Sequence, residues 1–215
     1  MKKIIILISG NGSNLQAIID SCKSGNIDGE IVSVISNKAN AYGIQRAIEA
    51  GITTKIISDD SFDSREEFDK ALLSSLTEIE ADLIVLAGFM KILSKKTADH
   101  FYGKIINIHP SLLPKYPGLN THSKVVKNQD IFHGVTIHYV SSELDAGPII
   151  AQGRIDVNTH AGIEELINRI HRVEHVIYPK IINLICKNEI YMENGNVNFK
   201  NNSHPRGYIC NSYEI

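Results

Sequence analysis

The chain has 215 residues, 43% hydrophobic and 21% charged, with 22 basic and 24 acidic side chains giving a net charge of −2. That balance excludes a general nucleic-acid or membrane-binding surface, and the length suffices for one large core. Cys22, Cys186 and Cys210 are too few and too far apart for a disulfide framework or a zinc ribbon.

Residues 3–9 are a continuous apolar run, as in a strand buried on both faces. Five apolar residues after Met1-Lys2-Lys3 are too few for a signal sequence. No run reaches the length of a membrane span, so a cytoplasmic protein is expected. Leu15, Ile18, Ile19 and Cys22 recur at helical spacing, and Gly25 stops that helix. Residues 30–36 read as a second strand, 41–50 as a short helix ended by Gly51, and 54–57 as a third strand. Ser64-Arg65-Glu66-Glu67 has capping-box spacing, with Phe68, Leu72, Leu76 and Ile79 as the apolar stripe behind it. Residues 82–88 are a fourth strand. Strand-helix repeats of this kind imply a Rossmann-like α/β fold, a mostly parallel twisted sheet with helices on both faces. Ligands in such sheets bind beyond the strands' carboxyl ends. The loops starting at Ser9, Asn37, Gly88 and Asn107 should therefore share one crevice.

The second half changes character. Residues 104–109 form a fifth strand, and Pro110, Pro114, Pro117 and Gly118 make a long loop. Residues 134–140 and 148–157 read as antiparallel strands around the turn Asp145-Ala146-Gly147. A long helix covers 162–187, with a kink expected at Pro179. Asn194-Gly195 signals a hairpin within 191–199, and the last fifteen residues read as a polar, loosely held tail. The expected organisation is one catalytic domain, 1–190, with a phosphate-binding half to about 103 and a donor-binding and catalytic half from 104, followed by the hairpin and tail 191–215.

Gly10-Asn11-Gly12-Ser13-Asn14-Leu15 departs from the dinucleotide fingerprint, because Leu15 replaces the third small residue. The second strand ends Ser36-Asn37, without the acid that grips an adenosine ribose. No G-K-[ST] follows, so the stretch is not a P-loop either. What remains is a helix N-terminus whose amides on Gly12, Ser13 and Asn14 suit a phosphomonoester. A plain turn with Ser13 or Asn14 as N-cap is the competing reading.

Asn107 and His109 are two apart on one strand and point to the same face. An amide donor beside an imidazole suits acyl chemistry: one bonds a developing oxyanion, the other moves a proton. A carboxylate at Asp145 reaching His109 would favour the protonated ring, although spacing alone does not place it there. An isolated strand-end histidine more often bonds neighbouring backbone. His109, His122, His133 and His138 lack ligand spacing, so no metal is expected.

The stretches ISGNGSNLQAIID, VLAGFMKILS, NIHPSLLPKYPG, HGVTIHYVSSELDAGPII and EHVIYP together resemble the folate-dependent formyltransferase family. ISGNGSNLQAI and the compact length point within it to the phosphoribosylglycinamide formyltransferases of purine biosynthesis. The resemblance runs over roughly residues 1–193. It implies transfer of a formyl group from 10-formyltetrahydrofolate to the amine of 5′-phosphoribosylglycinamide, with no metal. It implies that Asn107, His109 and Asp145 are catalytic. It places the substrate phosphate on Gly12, Ser13 and Asn14, with Glu174 and His171 beside the substrate. It places the folate against Arg65, Met90, Lys91, Ile92 and Leu93, then Asn107, Ser141, Ser142, Glu143, Leu144 and Asp145. Some members carry a lysine at His171 and a histidine at Asn120. A monomer or weak homodimer, with small-molecule partners only, is the expectation. Length disfavours two relatives: methionyl-tRNA formyltransferase, with its further C-terminal domain, and formyltetrahydrofolate hydrolase, with its N-terminal regulatory domain. A non-catalytic nucleotide-binding module would leave Asn107, His109 and Asp145 unexplained.

Overall fold

The computed structural model describes residues 1–157 and 162–200, and the backbone of 208–211. Ten strands and six α-helices alternate through them. In the first half, β1 (Lys2–Ile8), α1 (Ser13–Lys23), β2 (Gly29–Ser36), α2 (Tyr42–Glu49), β3 (Thr54–Ile56), α3 (Arg65–Ile79) and β4 (Leu83–Leu86) follow one another, with a 3-10 turn at Asp59–Ser61. The second half continues with α4 (Lys95–His100), β5 (Ile105–His109), α5 (Thr121–Lys127), β6 (Phe132–Tyr139), β7 (Ile149–Asp156) and α6 (Gly162–Cys186). The chain closes on β8 (Ile190–Glu193), β9 (Asn196–Phe199) and β10 (Tyr208–Asn211).

Eight strands make one sheet in the order β10-β7-β6-β5-β4-β1-β2-β3. β1 to β5 run parallel to one another, while β6 runs antiparallel to both β5 and β7. The expected mixed α/β architecture is therefore present, with its antiparallel part in the second half. The strand order reverses between β1 and β4, and such a reversal opens a crevice at the carboxyl ends.

Alternation along β1 divides the core. Ile4, Ile6 and Ile8 pack with Leu15, Ile18 and Ile19 of α1 and the buried face of α6. Ile5 and Leu7 pack on the other side with Phe68, Leu72 and Leu76 of α3. Each fully buried aliphatic side chain contributes about 1.5–3 kcal/mol, so these two faces hold the helices on the sheet. Ser64 caps α3 by accepting the Glu67 amide at 3.2 Å. The return bond of the capping box goes from the Asp63 amide to Glu67 instead.

Several elements differ from expectation. α4 and α5 were not anticipated; both are one to two turns, too short to show an apolar period. α6, as expected over this stretch, is one helix with Pro179 inside it and buried in the core. The predicted loose tail contains β10, which pairs in parallel with Ala151–Arg154 of β7. Its main chain bonds an open sheet edge, and such pairing requires no apolar pattern. The rest of the tail lies outside the described residues.

Candidate active site

The turn after β1 carries the first part of the site. Gly12 sits at φ 75° as the N-cap of α1. A Cβ there would lie 2.8 Å from the Gly43 Cα, so α2 approaches the loop too closely for a side chain. Arg46 of α2 clamps the same loop, donating to the Asn11 carbonyl at 2.9 Å and to Asn11 Oδ1 at 3.2 Å. The first-turn amides of Gly12, Ser13 and Asn14 have no intrahelical acceptor, and the helix dipole favours an anion there. Neither Ser13 nor Asn14 is the cap, so the plain N-cap reading does not hold.

α6 brings Glu174 to this loop. Asn14 Nδ2 donates to Glu174 Oε2 at 2.9 Å. Glu174 is 5% exposed, and burial pushes its carboxyl up to about 7, with the Asn14 bond opposing. Asn14 Oδ1 is buried without a partner among the described residues. His171 is exposed on α6, one turn before Glu174, and stacks on His175 at 6.2 Å.

The second part lies at the carboxyl end of β5. Asn107 and His109 face the same side, and antiparallel pairing sets Asn107 opposite His138. Asn107 Nδ2 donates to His138 Nε2 at 3.2 Å, while His138 Nδ1 donates to the Tyr139 carbonyl at 2.8 Å. The carbonyl can only accept, which leaves Nε2 unprotonated to receive the amide. Burial holds the His138 ring below the usual histidine range, consistent with this neutral tautomer. His138 therefore orients the Asn107 amide, a role missed in the sequence. The period-2 face shared by Thr136 and His138 was its only signal.

His109 is 6% exposed and held at both nitrogens. Its Nε2 meets the Tyr116 carbonyl at 2.9 Å, and its Nδ1 faces Asp145 Oδ2 at 3.4 Å. Two acceptors on one ring suit an imidazolium. Asp145 sits at φ 50° and also accepts the Gly118 amide at 2.8 Å. Gly147 is obligatory in the same turn, because a Cβ would lie 1.8 Å from the Tyr139 carbonyl.

The third part surrounds residues 89–94. Arg65 donates to the Ile92 carbonyl at 2.9 Å. Met90 and Ile92 are exposed, whereas Leu93 is a core residue packed with Leu7 and Phe101. Ser141 Oγ donates to the Glu143 carbonyl at 3.2 Å within the exposed turn that also carries Ser142 and Leu144. Among the described residues no group of three His, Cys, Asp or Glu is placed to hold a metal, and no helix is long and apolar enough to cross a membrane. β1 and β5 flank β4, so the carboxyl ends that carry the first two parts are about 10 Å apart.

The sequence and the fold have close counterparts. The sequence profile of the formyl transferase family matches residues 2–182. Phosphoribosylglycinamide formyltransferase of Escherichia coli K12 is 47% identical over 189 residues, covering 88% of this chain and 89% of that protein. The solved phosphoribosylglycinamide formyltransferase of Coxiella burnetii superposes with a TM-score of 0.92 at 43% identity, covering 97% of this chain and 99% of that one. Glycinamide ribonucleotide transformylase 1 of Symbiobacterium toebii gives 0.88 at 39% identity, covering 93% and 94%. A profile match over residues 2–182, together with near-complete coverage of relatives at 39–47% identity, leads to one conclusion: the chain belongs to the formyl transferase family.

Proposed function

We propose that the protein is a phosphoribosylglycinamide formyltransferase of de novo purine biosynthesis, using 10-formyltetrahydrofolate as formyl donor. The observation that carries this reading is the linking of Asn107, through His138, and of His109 to Asp145 at the end of β5, with only β4 between them and the strand that leads into the N-terminus of α1. The substrate phosphate rests on the amides of Gly12, Ser13 and Asn14. Glu174 and the unpaired Asn14 Oδ1 meet the ribosyl glycinamide, with His171 at the rim. The folate lies along Arg65, Met90, Lys91, Ile92 and Leu93 and against Ser141, Ser142, Glu143, Leu144 and Asp145.

The neutral glycinamide amine attacks the formyl carbon, forming the new C–N bond and placing negative charge on the formyl oxygen. The Asn107 amide bonds that oxyanion, and the Nε2–H of protonated His109 exchanges the Tyr116 carbonyl for it while Nδ1–H stays on Asp145; each such donor is worth about 10²–10³ in rate. Asp145 holds the imidazolium. As the intermediate collapses, the bond to the folate nitrogen breaks, and the proton lost by the amine passes to that nitrogen. The phosphate site draws on both halves of the catalytic domain, because Glu174 reaches back to Asn14. The protein acts in the cytoplasm as a monomer or weak homodimer.

The test is an assay with both substrates, following the absorbance change as the folate is released. Turnover that requires both glycinamide ribonucleotide and the 10-formyl folate supports the reading. Binding without turnover would favour a nucleotide-binding module. Release of formate without the amine would favour a hydrolase.

A further inference from the structure

Residues 87–94 join β4 to α4 without helix or strand, so side-chain anchors decide where 89–94 sit. Ser94 caps α4 at one end of the segment, and three further anchors hold Met90, Lys91 and Ile92. The Met90 amide donates to Ser9 Oγ at 2.7 Å. Lys91 pairs with Asp59 at 2.5 Å. Arg65 holds the Ile92 carbonyl at 2.9 Å. The first two anchors are themselves connected. Ser9 passes its hydroxyl hydrogen to Asn37 Oδ1 at 2.5 Å, and Asn37 Nδ2 donates to Asp59 Oδ1 at 3.3 Å. The bonds therefore close a ring through Ser9, Asn37, Asp59, Lys91 and Met90.

Two features set this ring apart from ordinary loop bonding. Asn37 is 1% exposed, so its amide has no water to turn to if a partner leaves. Ser9 also sits where the strand order reverses, its own amide bonded to the Gly88 carbonyl at 3.1 Å. Its hydroxyl is spent entirely on the loop after β4 and on Asn37, and not on the phosphate loop that it begins. Lys91 and Lys38 both lie against Asp59, and the Lys91 bond holds its carboxyl below the usual range.

We propose that Ser9 is a positioning residue for the formyl donor: through the ring with Asn37 and Asp59 it fixes the height of Met90 and Ile92 at the mouth of the crevice. This rests on the reading of that loop as the folate contact. The hydroxyl holds the donor loop, while the loop of Gly12, Ser13 and Asn14 keeps its own support from Arg46. Ser9 therefore matters to one substrate and not to the other.

The experiment is steady-state kinetics on Ser9→Ala, Ser9→Thr, Asp59→Ala and Arg65→Ala, with amide hydrogen exchange followed over residues 88–93. Ser9→Ala is expected to raise KM for 10-formyltetrahydrofolate about threefold to tenfold, the range of one lost hydrogen bond. KM for glycinamide ribonucleotide should stay within about twofold, and exchange should quicken at Met90. Ser9→Thr keeps the hydroxyl and should restore both readouts. Asp59→Ala opens the ring at its half-buried corner and should reproduce the Ser9→Ala pattern, with thermal melting run alongside to confirm that the variant is folded. If Arg65→Ala raises the donor KM while Ser9→Ala and Asp59→Ala leave it unchanged, the positioning role is overturned and the donor site stands. If none of the three changes it, the donor reading itself fails. An equal rise in both KM values in Ser9→Ala, with faster exchange throughout, would reduce Ser9 to a structural residue.

Discussion

Asp145 Oδ2 faces both the His109 ring at 3.4 Å and the Gly118 amide at 2.8 Å. The carboxylate is thus fixed before any substrate arrives, and the imidazole is fixed by it. Replacing Asp145 with Ala leaves His109 without its counter-charge while the rest of the crevice stays intact. Loss of general acid-base support of this kind lowers kcat by about 10²–10⁴, with KM for either substrate changing far less. The same signature is expected of His109→Ala. Near-normal kcat in both variants would remove these residues from the chemistry.

The phosphate loop is tested by charge. Ser13→Asp places a carboxylate where a phosphate is proposed to sit. KM for glycinamide ribonucleotide should rise at least about tenfold, since like charges in one pocket oppose each other. KM for the folate should hold. An unchanged nucleotide KM would assign the phosphate elsewhere.

Glu174 gives a pH prediction. Its carboxyl titrates at about 7 in the folded protein against 4.5 when unperturbed, because burial disfavours the charge. Between these values the folded chain keeps a proton that the unfolded chain has released. The stability tied to that proton is complete below 4.5 and is lost as pH rises through about 7. Urea unfolding of the wild type should weaken relative to Glu174→Gln across that interval. Parallel pH curves for the two proteins would contradict this burial effect.

Gly147→Ala tests the turn that delivers Asp145. The added Cβ would collide with the Tyr139 carbonyl, which is backbone and has no easy retreat. Stability should fall by about 2 kcal/mol or more. Activity should fall further than stability accounts for, because Asp145 moves with the turn. Thermal melting and kcat on the same preparation check both.

Much of this site was readable before folding. Asn107 and His109 share a strand face by their spacing alone, and the Gly12 turn announces itself between an apolar run and a helical stripe. His138 was harder, because its relation to Asn107 depends on the antiparallel register of β5 and β6, which no local pattern encodes. Asp145 reached His109 only through the resemblance, since the two are 36 positions apart in sequence. Leu93 shows the opposite limit: it lies within the loop assigned to the folate, yet its side chain belongs to the core. α4 and α5 carry too few turns to show a period, and β10 is held by main-chain pairing, which sequence pattern does not report.

The most direct test is a crystal structure with glycinamide ribonucleotide and a non-reactive analogue of the formyl folate bound together. The account predicts the phosphate on the amides of Gly12, Ser13 and Asn14, with the amine and the formyl carbon meeting beside Asn107 Nδ2 and His109. A phosphate seated away from the start of α1, or a formyl group out of hydrogen-bond reach of both side chains, would contradict it.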